Sequence, residues 1–285
     1  MRYKKAQQIG AHVSMECFSR LLPYDERASK DDKYLFIFNP SPYERSDIVE
    51  TDLEFFLQDV EVGLNPDVKV APKLPPVDGF RLEDTDGKTI PCQIVSRGEG
   101  FGITYSKHDY PNQTLVDRFS ILVSAGNVPA MGWKGLKIVK TGAPVQFPPS
   151  VHAGENFLEN DFLKVEVSSD GAVRILDKLT QTSYERMNIF EDSGDVGDEY
   201  NYSYPERDER FESTHFQPVI HIIERGPLRA SIQIDQTMVV PASASPDERN
   251  RSTGKAELAV STVLSLTPLS KRLDFKTTVR RRRRP

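Results

Sequence analysis

The chain has 285 residues, 38% hydrophobic and 28% charged, with a net charge of −5. That composition is globular rather than disordered, leaves room for about two domains at roughly 100–200 residues each, and holds no apolar run near the roughly 20 residues of a membrane-spanning helix. Five positive charges sit together at Arg280–Arg284, so the rest of the chain is more acidic than the total, which argues against nucleic-acid binding.

The first segment, MRYKKAQQIGAHVSMECF, is basic but has no continuous apolar stretch, so it does not read as a secretory signal and a cytoplasmic location is expected. Residues 2–22 predict a helix: Ile9, Val13, Cys17 and Leu21 recur at i, i+4, and Pro23 ends the run. One amphipathic helix cannot bury its stripe alone, so it should dock on the next domain or belong to a helical domain outside this sequence. Cys17 and Cys92 are far apart and in no CxxC pair, and read as two free buried thiols.

After the charged segment DERASKDDK the period changes to that of strands. Tyr34–Phe38, Ser46–Phe56, Phe80–Leu82, Ile90–Ser96 and Asp117–Val123 are strand candidates, with NPSP and DTDGK as turns. Short strands at this spacing predict an antiparallel sandwich over 33–140. Residues 124–152 read as a Pro/Gly-rich stretch.

A second β domain is expected over 153–279. Alternation at Phe162–Val167, a turn at SSDG, and runs at Val173–Leu176, Val219–Glu224, Arg229–Val240 and Glu257–Leu266 mark its strands, and 243–255 a polar hairpin loop. The run LDFKTTV ends at Val279, and residues 280–285, five arginines and a proline, read as a low-complexity tail, as a frameshift or cloning scar would look. The fold class expected is mainly β.

The segment LENDFLKVEVSSDGAVRILDKLTQTSYERMNIFEDSGDVGDEYNYSYP, residues 158–205, resembles the opening of the large C-terminal β-sandwich of bacterial glycoside hydrolase family 38, the α-mannosidases and mannosylglycerate hydrolases. The shared pattern is LEN-x-aromatic-L-x-V, a hairpin with a DG turn, LxDK-x-T and an acidic GD-x-GDEY-x-YSxP loop. It stands at Leu158–Val165, Asp170–Gly171, Leu176–Lys178 with Thr180, and Gly194–Pro205, departing at ILDKLT. FIFNPSPYERSDIVE, residues 36–50, resembles the first strand of that family's small β-sandwich. The resemblance implies a small antiparallel sandwich followed by part of a large galactose-mutarotase-like supersandwich. Residues 1–24 would be the last helix of a helical domain, and the chain a C-terminal portion cut at both ends.

The family's catalytic α/β barrel, its aspartate nucleophile and its zinc or other divalent metal would lie outside this sequence, and no position here matches the nucleophile or the metal ligands. The resemblance thus implies a mannoside or oligosaccharide substrate for the complete enzyme, and no hydrolysis by this portion. The residues agree on the metal. His12, His108, His152, His215 and His221 form no HxxxH or HxH pair; His215 and His221 could share one side of a strand. An incomplete sandwich would expose an unpaired strand edge and apolar surface, through which association as a homo-oligomer, or aggregation, is expected.

Glu191–Pro205 is the segment whose chemistry reads as functional, because carboxylates accept sugar hydroxyls and aromatic faces stack on sugar C–H groups. Three readings stand. The loop contacts sugar at an active-site rim, as the resemblance implies, through Asp198, Tyr200 and Tyr202; its carboxylates cap the turns at Gly194 and Gly197; or it binds calcium, against which it lacks the D-x-D-x-DG spacing. A standalone carbohydrate-binding or scaffolding module is the alternative to the enzyme reading.

Overall fold

The computed structural model describes residues 2–22, 33–60, 71–104, 112–247 and 249–283. A single helix among them, α1 (Arg2–Leu21), precedes β1 (Lys33–Phe38), β2 (Arg45–Val60), β3 (Gly79–Glu83), β4 (Thr89–Ile90), β5 (Cys92–Thr104), β6 (Asn112–Val128) and β7 (Trp133–Thr141). These strands form two antiparallel sheets, ordered β1-β7-β3-β4 and β2-β6-β5. Their facing residues share one core, with Phe55, Phe80 and Phe119 at its centre and Leu82, Ile121 and Leu136 around them. Phe119 meets both other rings edge-on, at 5.2 and 5.7 Å between centroids, the arrangement aromatic quadrupoles favour.

Both predicted turns form for the expected reasons. In NPSP the buried Asn39 donates from Nδ2 to the Tyr43, Val128 and Pro129 carbonyls while its Oδ1 accepts from the Ser41 amide. In DTDGK, Asp84 Oδ1 accepts from the Asp86 and Lys88 amides, and Gly87 takes φ 77° to close the β3–β4 hairpin.

The second half adds β8 (His152–Gly154), β9 (Phe157–Glu159), β10 (Leu163–Val167), β11 (Val173–Asp177), β12 (Thr182–Met187), β13 (Glu191–Asp192), β14 (Phe211–Glu212), β15 (Val219–Arg225), β16 (Ala230–Pro241), β17 (Lys255–Leu266) and β18 (Asp274–Arg283). One sheet runs β12-β11-β10-β9-β8, another β15-β16-β17-β18, and β13-β14 is a separate ribbon. Leu158, Val165 and Val167 of the first share a core with Ile232, Ile234 and Leu264 of the second. At SSDG the turn closes on Gly171 at φ 85°.

Four sequence expectations need correction. The 124–152 stretch contains β7, which lies between β1 and β3 in its sheet. The last strand does not stop at Val279: Arg280–Arg283 continue β18 opposite Ala259–Ala256 of β17, because ladder bonds need only backbone. Helix α1 buries no residue, and its Phe18 stacks on Phe38 of β1 at 4.3 Å between centroids. Cys17 is therefore exposed, whereas Cys92 is buried, and burial pushes its thiol up to about 11. Finally, His215 lies in a 3-10 turn, Ser213–His215, and His221 on β15, so they do not share a strand.

Candidate functional site

The acidic-aromatic segment is a loop closed at its neck by the β13–β14 ribbon, where Glu191 faces Glu212 and Asp192 faces Phe211. Inside, the Val196 amide donates to the Ser203 carbonyl at 2.8 Å. Asp195 Oδ1 accepts from the Gly197 and Ser203 amides at 2.9 and 3.1 Å. Asp198 Oδ1 accepts from the Tyr200 and Asn201 amides at 2.9 and 2.7 Å. These amide bonds, Tyr200's first, hold the Asp198 carboxyl below the usual carboxylate range. Both aspartates thus shape the loop's own backbone, which is the turn-capping reading.

Glycine is required at two points. A Cβ on Gly197 would lie 1.9 Å from the Asn201 carbonyl oxygen, and one on Gly194 would lie 2.5 Å from Pro205 and 3.0 Å from Arg251. The tyrosines are in the opposite situation: Tyr200, Tyr202 and Tyr204 are 85%, 65% and 76% exposed. The loop therefore turns Asp195 and Asp198 onto its own amides and leaves three phenol rings in solvent.

Arg251, on the hairpin loop between β16 and β17, grips the neck. Its guanidinium binds the Asp192 carboxylate, donates to the Glu209 carbonyl at 2.9 Å, lies 3.8 Å from Asp208, and sits 5.4 Å from the Phe211 ring centroid. Asp208 in turn accepts from the Gly194 amide through both oxygens. The two loops also join through Glu206, whose amide donates to the Arg249 carbonyl at 2.7 Å. Sequence reasoning missed Arg251, since nothing in its polar neighbourhood signals a partner 59 positions away.

Replacing Arg251 by Ala removes charge-assisted bonds, each about 1.5–3 kcal/mol. Exchange of the Gly197 and Ser203 amides should therefore rise roughly tenfold or more, with the β16–β17 amides unchanged. Arg251→Lys keeps the charge without the planar fork and should fall between. Unchanged loop exchange in the alanine variant would show that the clamp does not hold the loop.

A cavity of about 240 Å³ lies between this loop and the β16–β17 hairpin, bordered by Ser193, Asp195, Ser243, Arg251 and Arg281. Among the described residues, no group of three or more His, Cys, Asp or Glu side chains is placed to hold a metal ion. The set does not fit a zinc centre, nor does it support the calcium reading of the loop; His108 lies outside the described residues. The candidate contacts Asp198, Tyr200 and Tyr202 stay together on the loop, with Asp198 turned to backbone and the two rings exposed.

Comparison with known proteins places this geometry in a family context. Residues 158–284 match the family described as "Glycosyl hydrolases family 38 C-terminal domain". A 173-residue stretch is 28% identical to the protein named "Putative mannosylglycerate hydrolase" of Halalkalibacterium halodurans, covering 60% of this chain and 19% of that protein. Among solved structures, an α-mannosidase from Enterococcus faecalis V583 superposes with TM-score 0.82 at 24% identity, over 98% of this chain and 33% of the other. A glycosyl hydrolase family 38 protein from Enterococcus faecalis gives 0.81 at 22%, over 98% and 35%. The chain thus spans about a third or less of the length of the relatives it matches, and its fold is theirs.

Proposed function

We propose, because residues 158–284 belong to the C-terminal domain of glycosyl hydrolases family 38, that the chain is the non-catalytic β region of an α-mannosidase-type glycosidase. In this reading the complete enzyme hydrolyses α-mannosides with retention, in a cytoplasm, using a divalent metal held outside these residues. Two carboxyl groups, also outside this region, act as nucleophile and as acid then base. The region supports the catalytic domain and lends Tyr200 and Tyr202 to the rim of its active site, with Asp198 fixing the turn that carries them. The family match over 158–284 carries the reading. The inward use of Asp195 and Asp198 supports it, because carboxylates committed to backbone amides are poorly placed for acid–base work.

Purified 1–285, supplied with zinc and an aryl α-mannoside, should give no turnover above the metal-only blank. Saturable turnover that follows the protein through purification would overturn the non-catalytic assignment. The three exposed tyrosines beside carboxylates favour a second reading, a module that binds glycans by itself. Calorimetric titration with a mannobiose separates the two: saturable binding abolished by Tyr200→Ala supports the module, and no heat supports the rim.

A further inference from the structure

The two β units are joined in sequence by residues 142–151, which carry no regular secondary structure, yet one side chain crosses between their cores. Gln93, on edge strand β5 of the first unit, is only 6% exposed. Its Oε1 accepts from the Leu228 and Arg229 amides at 2.8 and 2.9 Å. Its Nε2 donates to Glu224 Oε1 at 2.8 Å and lies 3.4 Å from the Arg229 carbonyl. All these partners flank the turn joining β15 to β16 in the second unit. The side chain of one unit thus completes the hydrogen bonding of a turn in the other.

The turn is shaped to receive it. Gly226 lies so close that a Cβ there would stand 2.0 Å from the Gln93 amide carbon. Beside the contact, Arg229 donates to Glu224 and, across the boundary, to Glu50 of β2, each at 2.7 Å. The Ser150 amide ties the connecting segment to the same turn through the Pro227 carbonyl at 3.2 Å. Removing Gln93 would leave the Leu228 and Arg229 amides and Glu224 Oε1 each short of a partner, beside a cavity of about 390 Å³ lined by Gln93, Glu224 and Gly226.

We infer that Gln93 is an interdomain clasp that makes the two β units one cooperative, rigidly oriented body. Without it, an irregular ten-residue connection would let them move and melt independently, as linked domains do by default. The acidic-tyrosine loop is then held at a fixed position relative to the first unit, whatever that loop binds.

Scanning calorimetry on 1–285 tests this. The wild type should melt in one transition with van't Hoff and calorimetric enthalpies equal. Gln93→Leu should split it into two, separated by about 4 °C or more. Gly226→Ala, which fills the approach without removing any hydrogen-bonding group, should do the same. Two transitions in the wild type, or one in both variants, overturn the clasp. Should neither variant fold, amide exchange in the wild type decides: the Leu228 and Arg229 amides should exchange as slowly as the Ile121 and Ile232 core amides. Exchange at least tenfold faster than both would show that the units part without global unfolding.

Discussion

Asn160→Ala should lower the stability of the chain by about 3 kcal/mol, one of the largest single-residue effects expected here. Asn160 is 3% exposed and uses its amide fully. Its Oδ1 accepts from the Phe162 and Leu163 amides at 2.8 and 2.7 Å, fixing the turn between β9 and β10. Its Nδ2 donates to the Thr267 and Ser270 carbonyls, both at 2.8 Å, in the connection from β17 to β18. One side chain thus ties the first sheet of the second unit to the far edge of the other. Alanine leaves four backbone groups, in one buried and three partly buried bonds, short of partners, at roughly 0.5–1 kcal/mol net for each bond lost. Asn160→Asp keeps the acceptor but turns an oxygen toward two carbonyls, so it should cost at least as much. Urea midpoints measure both; a loss under about 1 kcal/mol for alanine would mean that water replaces the amide there.

Asn160 also shows what a sequence can reveal. It is the last letter of the LEN motif that carries the family resemblance, yet the motif says nothing of Thr267 or Ser270, more than a hundred positions on. Local rules were legible wherever the cause was local. Alternation placed β10, strand-forming runs placed β16 and β17, and the glycines at 87 and 171 marked turns that need positive φ. Strand β7 was hidden because WKGLKIVKT lies between two Pro/Gly-rich flanks and buries only Leu136 and Ile138 deeply; its place in the sheet comes from neighbours far away in sequence. The arginines of β18 were hidden for the opposite reason, since a repeated polar residue gives no alternation to read, while the backbone ladder to β17 is indifferent to side chains. The loop divides in the same way. Aspartates two positions before Gly197 and Tyr200 announce turns, but the Arg251 clamp and the Gln93 clasp are products of tertiary folding.

An ion pair in the first unit, between a buried carboxylate and an exposed guanidinium, sets the remaining large effect and gives it a pH signature. Asp117 on β6 is 3% exposed. Arg97 on β5 meets it with two parallel bonds, at 2.9 and 2.6 Å, and the Val77 amide adds a third at 3.0 Å. The same guanidinium lies 4.5 Å from the centroid of Phe119, at the centre of the core. Hydrogen bonding from Arg97 is the largest influence on the Asp117 carboxyl and, with the Val77 amide, holds it below the usual carboxylate range against the opposing effect of burial. A carboxylate with a depressed folded-state pKa stabilises fully above its unfolded value of about 3.9 and loses that contribution as pH falls through the folded value. Asp117→Ala should therefore cost about 2 kcal/mol at pH 7, below the range for breaking a fully buried pair, because the Arg97 side chain is 39% exposed and can turn to water. Asp117→Asn keeps the shape without the charge, and its deficit against wild type should be constant from about pH 5 to 8 and shrink steadily below about pH 4. A deficit that stays the same down to about pH 2 would mean that the charge contributes nothing, and that Asp117 acts only through its shape and its bond to Val77.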